Sequence, residues 1–395
     1  MTHVRRRFIG IAALNGTSAL AQIGQYGIAF VLYPMALQTR GAPPWQIGVT
    51  SSALWVGMLL GLLVAPMLVA RRGHLETLVA GLAASSAALA LSPWVPVPFW
   101  AMTAFASGFG LGLRWIGLET WLYAVSPRHV RGRIVGFHEA LLGSAAVLGP
   151  VVIAWFGAVG PAAFATAALL TSMACLPLIA ALPIRLRRTY LEAVATPTHI
   201  DLRARLARWR TVGVATAGLG GMLEAAFLAL FPVYATSHGM ASGEVAWLLT
   251  VFGIGAMLLQ YPIGWLADVL GVRAAALLVT VVVLLGALTS DLLLSRPALF
   301  PAAIFALGGA MSGFLTLGLT FAIETRPEAD LDAEVSRVSL SYTALAGLGP
   351  LLAGAMVTAA GIGMLMPFLG VVSTVLLVLL ASFRPGRITN SCGSR

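Results

Sequence analysis

Apolar runs of about 20 residues or more follow one another from residue 8 to residue 383 with only short gaps between them. A helix needs roughly 20 apolar residues to cross about 30 Å of hydrocarbon. Twelve runs can be marked: 8–36, 46–70, 75–96, 98–124, 134–157, 160–183, 211–235, 245–267, 273–294, 299–323, 338–358 and 362–383, numbered spans 1 to 12. Spans 3 and 4 are split only by SPWVPVP and spans 5 and 6 by FGAVG, both with tight-turn chemistry. Charged residues make up 10% of the chain and hydrophobic ones 59%. A soluble domain carries about 25% charged residues, so a buried core cannot account for the deficit. Most of the outside must face a lipid bilayer, and the expected fold is an all-α membrane protein with twelve transmembrane helices.

Charge placement sets the orientation. The chain has 24 basic residues, all arginine, against 14 acids, for a net charge of +10. In a soluble protein that excess would suggest nucleic acid. Here the arginines lie in gaps between apolar runs and not on one solvated face, so a nucleic-acid partner is excluded. Gaps on one side hold Arg5, Arg6, Arg7, Arg71, Arg72, Arg128, Arg131, Arg133, seven arginines between 185 and 210, Arg273, Arg326, Arg337 and three in the tail. The other side holds Arg40 and Arg296. The positive-inside rule then places both termini in the cytoplasm of a bacterial inner membrane, in agreement with the even number of spans. The opening MTHVRRRFIGIAAL is read as the start of span 1 and not as a cleaved leader, since no small-residue cleavage site precedes a soluble body. A monomer is expected.

Enzymatic and cofactor chemistry find no support. Cys175 and Cys392 are too far apart in sequence to suggest a metal site or a disulfide framework. No Walker loop, H-E-x-x-H or G-x-S-x-G is present, so neither ATP nor a hydrolytic site is expected. Gly108, Gly110 and Gly112 follow no strand and suit close helix packing, not phosphate binding.

The two halves echo each other. GSAAVLGP ends at Pro150 in span 5 and ALAGLGP at Pro350 in span 11; GLLVAPMLVARRG ends at Gly73 after span 2 and YPIGWLADVLG at Gly271 after span 8. Two matches at nearly the same offset suggest duplicated bundles that rock about a site at their interface. The expected organisation is a six-helix bundle over 1–183, a cytoplasmic linker over 184–210, a second six-helix bundle over 211–384 and a cytoplasmic tail over 385–395. Within the linker, RARLARWR reads either as a solvated connection or as a short amphipathic helix on the anionic leaflet.

Twelve spans, the repeat and the stretch GWLADVLGVR together resemble the major facilitator superfamily, whose cytoplasmic loop motif reads G-x-L-A-D-x-x-G-x-R. Gly264, Leu266, Ala267, Asp268, Gly271 and Arg273 match it between spans 8 and 9. WQIGVTSSALWVGMLLG, WIGLETWL, RGRIVGF, FPVYATSHG, LLQYPIGWLAD and LSYTALAGLGP are similar to the YcaD-type branch. That branch is similar in turn to bacterial copper importers that use Met-x-x-x-Met and His-x-x-x-Met pairs. Neither spacing occurs here, and Met222, Met240 and Met257 are isolated, so no metal site is expected. The resemblance implies a fold of two pseudo-symmetric bundles and a cytoplasmic gate built from Gly264, Asp268, Gly271 and Arg273. A plain positive-inside anchor with an incidental Asp268 is the alternative. Two departures limit what carries over. Ala70 stands where the first-half motif would have its acid, and Ala104 where many proton-coupled members have an arginine.

A charge at mid-membrane costs about 2.5–3.5 kcal/mol on insertion scales and asks for a partner or a task. Arg114 lies near the middle of span 4 and Glu224 near the middle of span 7. The resemblance implies that spans 1, 4, 7 and 10 line a central cavity. Arg114 and Glu224 would then pair across it, hold substrate, or staple helices. Asn15, Ser18, Gln22 and Gln25, spaced 3, 4 and 3, form one polar stripe that should face the cavity or another helix. Ser312, Thr316 and Thr320 form a weaker stripe in span 10, and Trp115 and Tyr26 are candidate aromatic walls. Glu119, Glu139 and His138, at similar depth, form either a proton relay or an interfacial hydrogen-bond cluster. Asp291, at the outer end of span 9, should be solvated.

The function expected is secondary active transport of a small solute by alternating access. Substrate-binding candidates are Arg114, Glu224, Asn15, Gln22, Gln25 and Trp115, with proton-coupling candidates Glu224, Glu119, Glu139 and His138. Arg114 hints at an anionic substrate, a hint that an internal Arg114–Glu224 pair would cancel. The rival class is a non-transporting membrane receptor or assembly factor on a transporter scaffold.

Overall fold

The computed structural model describes residues 2–127, 130–158, 160–184, 212–325 and 331–382. The expected linker, apart from Ile184, and the expected tail lie outside them, as do Arg128 and Arg326. Among the described residues, ten helical segments are long and apolar enough to cross a bilayer, and Ser242–Leu258 with Gln260–Leu270 form an eleventh as a pair bent by 41°. Trp100–Val125, 26 residues long, completes the twelve; Arg114 and Glu119 lower its hydropathy. Each segment overlaps its expected span with ends displaced by a few residues.

Prolines and glycines account for the irregular places. Pro262 follows Leu258 by four residues. Its ring would collide with the Leu258 carbonyl and it has no N–H to donate, so span 8 breaks there. Span 1 runs as Thr2–Gln22, a π-helical turn Ile23–Ile28, and Ala29–Thr39. Gly27 in that turn lies so close to span 5 that a Cβ there would strike the Ala145 carbonyl. Gly73, between Pro44–Arg72 and His74–Leu91, has φ 106°, and Gly271, between Gln260–Leu270 and Val272–Leu293, has φ 84°. The two echoed loop segments thus both turn on a glycine in a conformation that other residues rarely adopt.

The repeat is visible in packing. Gly149, before Pro150, abuts Gly27 of span 1, and Gly349, before Pro350, abuts the Met222 carbonyl of span 7. Spans 1–6 and 7–12 each form a bundle. The bundles meet where span 2 packs on span 11 and span 5 on span 8. At the face away from the N-terminus, called the far face, they are joined by Gln38 Nε2 donating to Thr236 Oγ1 (2.8 Å) and Trp45 N donating to Thr358 Oγ1 (2.9 Å). Gly48 and Gly354 let spans 2 and 11 close up there: a Cβ on Gly48 would meet the Pro350 carbonyl. Asp291 is not merely solvated. Tyr234 Oη donates to its Oδ1 at 2.5 Å and ties span 7 to span 9.

Candidate functional site

Between the bundles lies a cavity of about 1600 Å³. Its walls reach Arg71, His74, Ala124, Val335 and Ser336 at the N-terminal face and stop short of the far-face contacts. Gln22, Tyr26, Trp55, Trp115, Glu119, Glu139, Glu224, Gln260, Ser312, Thr316 and Tyr342 supply most of its polar and aromatic surface.

The polar stripe of span 1 faces spans 4 and 5. Arg114 Nε donates to Gln25 Oε1 (2.9 Å), Nη1 to Ser18 Oγ (3.3 Å) and Nη2 to Gln22 Oε1. Gln25 continues inward, its Nε2 donating to Ser85 Oγ (2.7 Å), which donates to the Ser107 carbonyl (2.7 Å). Asn15 Nδ2 donates to the Ile11 carbonyl (3.0 Å), and its Oδ1 lies 3.0 Å from His138 Nδ1. Arg114 is 1% exposed and lies behind the cavity wall, with Gln22 between it and the open space. Among the described residues no ion pair joins Arg114 to Glu224. Of the substrate-binding candidates, Gln22, Trp115 and Glu224 reach the cavity, whereas Arg114, Asn15 and Gln25 form the layer behind it. The hint of an anion depended on Arg114 facing solute, and each of its three nitrogens already donates to span 1.

Glu224, on Val212–Ser237, is 5% exposed and sits on the wall. Tyr342 Oη donates to its Oε2 (2.6 Å) and Ser312 Oγ to its Oε1 (3.1 Å). Both partners are neutral. Beside it, Trp55 meets Tyr342 edge-on at 6.1 Å between ring centroids, Tyr26 at 6.3 Å and Phe30 at 4.8 Å. These rings come from spans 1, 2 and 11, so both bundles contribute. Thr316 Oγ1 donates to Gln260 Oε1 (2.8 Å) further toward the open face.

The expected relay is brought together only in part. Glu119 and Glu139 share the cavity wall, while His138, adjacent to Glu139, turns to Asn15 and is fully buried. The gate residues lie outside the cavity. Arg273 donates from Nε to the Leu380 carbonyl (2.9 Å) and from Nη2 to the Ala381 carbonyl (2.7 Å), capping span 12 of its own bundle. Asp268 is exposed and, among the described residues, has no hydrogen-bond partner. A Cβ on Gly264 would meet nothing within 4 Å. Among the described residues no three His, Cys, Asp or Glu side chains gather as a metal site.

Trp55, Tyr342 and Gln260 were not expected from the sequence. An aromatic residue in an apolar span signals lipid or core equally well, and Gln260 reads as part of a loop motif until the Pro262 break turns it inward.

Comparison with known proteins agrees with this architecture. The chain is 28% identical to the MFS-type transporter YcaD of Salmonella arizonae over 322 residues, 81% of each chain. It is 27% identical to YcaD of Salmonella heidelberg over 352 residues, 88% of this chain and 89% of that one. It superposes on the nucleoside transporter NupG with a TM-score of 0.79 at 13% identity, covering 95% of this chain and 100% of that one. A D-xylose-proton symporter gives a TM-score of 0.74 at 14% identity, covering 95% and 98%. The sequence profile described as Major Facilitator Superfamily matches residues 14–241 and again 211–391. The chain therefore belongs to the Major Facilitator Superfamily.

Proposed function

We propose that this protein is a secondary transporter that carries a small solute across a bacterial inner membrane as a monomer by alternating access. The observation that carries the reading is the large cavity between two similar bundles, reaching one face and sealed from the other by contacts between those bundles. The arginine-rich gaps put the open face in the cytoplasm, with both termini there, so this is the inward-facing state. Glu224, Gln22, Trp115 and the rings around Trp55 contact the solute; Arg114, Asn15 and Gln25 hold span 1 against spans 4 and 5. Gly264, Asp268, Gly271 and Arg273 form the cytoplasmic gate, which is released in this state. Proton coupling runs through Glu224 or Glu119, the deep cavity acids, with Glu139 nearer the mouth.

Alternation is tested with single cysteines at Ser336 (open mouth) and Thr236 (sealed face), probed with a membrane-impermeant maleimide. Conditions that raise labelling at one should lower it at the other. Fixed labelling at both positions would favour the receptor or assembly-factor reading. Once a transported solute is in hand, Glu224→Gln should abolish pH-driven flux in proteoliposomes, and unchanged pH dependence would dismiss coupling at Glu224.

A further inference from the structure

We infer that the solute is a monovalent organic cation with an apolar body, held by Glu224 among the rings of Tyr26, Trp55 and Tyr342. The inference rests on the transport reading above and assigns the charge and shape class of its cargo.

Three observations converge. First, the described charged side chains on the wall are Glu119, Glu139 and Glu224 against Arg71, and Arg71 lies exposed at the mouth where solvent screens it. Arg114, the deep cation of the sequence, is turned away into the span 1 stripe. Second, Glu224 is nearly buried, and its polar partners are the hydroxyls of Tyr342 and Ser312. A carboxylate so placed is costly unless a proton or an arriving cation neutralises it, so cation and proton compete for the same group. Third, Tyr342 donates to that carboxylate, and on the same cavity wall Trp55 meets both Tyr342 and Tyr26 edge-on. Ring faces attract cations, most strongly where water is excluded, and such cages recognise ammonium groups. The remaining wall is largely apolar, with Phe30, Val31, Met58, Leu62, Leu228 and Phe252 to accommodate a hydrocarbon body.

A bare inorganic cation fits less well. Calcium takes six to eight oxygen ligands and magnesium a near-ideal octahedron, whereas Glu224, Ser312 and Tyr342 supply few oxygens and are flanked by rings. Because the cage draws on spans 1, 2, 7, 10 and 11, an occupant touches both bundles and can bias their relative position.

The test uses purified full-length protein and tritiated tetraphenylphosphonium in a scintillation proximity assay. Saturable binding is expected, displaced by benzyltrimethylammonium but not by phenylmethanesulfonate, an anion carrying the same benzyl group, nor by excess sodium. Glu224→Gln should weaken binding at least about tenfold, and Trp55→Leu by about threefold or more while leaving the charge in place. Absence of saturable binding, equal displacement by phenylmethanesulfonate or by sodium, or unchanged affinity in a monodisperse Glu224→Gln protein would each overturn the inference. Should Glu224→Gln aggregate, the wild-type comparison of the oppositely charged benzyl compounds decides. If the mouths exchange accessibility but the cation does not bind, the cation assignment fails and transport stands. If the cation binds through Glu224 while the mouths stay fixed, the binding site stands and transport fails.

Discussion

Arg114 presents five N–H donors in a rigid fork and keeps its charge under ordinary conditions. Gln25, Gln22 and Ser18 accept from it in a site that is 1% exposed. Arg114→Ala would leave the amide oxygens of two buried glutamines without that donor, at about 1–3 kcal/mol for each orphaned group. The variant should therefore lose thermal stability by several degrees, given about 2–4 °C per kcal/mol for mid-sized domains. Arg114→Lys should recover little, since one ammonium cannot fork to three acceptors on successive turns. Glu224→Gln should behave oppositely: the buried charge goes, an oxygen remains for Tyr342 or Ser312, and stability should hold or rise. Size-exclusion recovery after graded heating checks both. Equal losses for the two variants would mean that Glu224 is a structural staple like Arg114. Depth along a helix was legible for both residues, because position within an apolar run fixes it. The face each presents was not: a π turn at Ile23–Ile28 shifts the stripe's rotation about the helix, and no proline or charge in that stretch announces it.

At the level of helices, two glycines offer a paired test. Gly48 lies where spans 2 and 11 seal the far face, and a Cβ there meets the Pro350 carbonyl. Gly264 lies one helical turn beyond Gln260, on the same face by the i, i+4 rule, in space that is open here. A larger side chain at Gly48 penalises the state seen in this structure; one at Gly264 penalises the state in which the other face closes. Gly48→Leu should raise maleimide labelling of Thr236→Cys, half-buried at the far face, and Gly264→Leu should lower it, both in a Cys175→Ser, Cys392→Ser background. Shifts of the same sign would argue against two interconverting states. The apolar runs made the helices themselves readable, and even the break in span 8 has its cause in Pro262. The partner of each helix face was not readable. Gly57, Gly108, Gly253 and Gly255 each abut a backbone carbonyl of another helix, yet glycine in a membrane span indicates only that something comes close, never what.

Across the molecule, the duplication was readable from the echoes ending at Gly73 and Gly271 and at Pro150 and Pro350. Glu224, Gln22, Tyr26 and Ser312 could be named one by one, but their gathering at one place with Trp55 and Tyr342 could not, because the parts are scattered over spans 1, 2, 7, 10 and 11 and meet only after the bundles associate. The same association makes the far-face bond between Gln38 and Thr236 informative. These residues close spans 1 and 7, the first helix of each bundle, so the bond ties near-equivalent positions close to the pseudo-symmetry axis. Rocking of one bundle against the other must break it. Gln38→Cys with Thr236→Cys, joined by a short cleavable bifunctional thiol reagent in the background lacking native cysteines, should hold the cavity open to the N-terminal face. Labelling at Ser336→Cys should then stay high under every condition, and binding from that face should persist. Net flux in proteoliposomes should vanish and return when the linker is cut. A receptor that never alternates would be unaffected by the cross-link, so unchanged Ser336→Cys labelling responses before and after joining would remove the carrier mechanism while leaving the fold and the cavity intact.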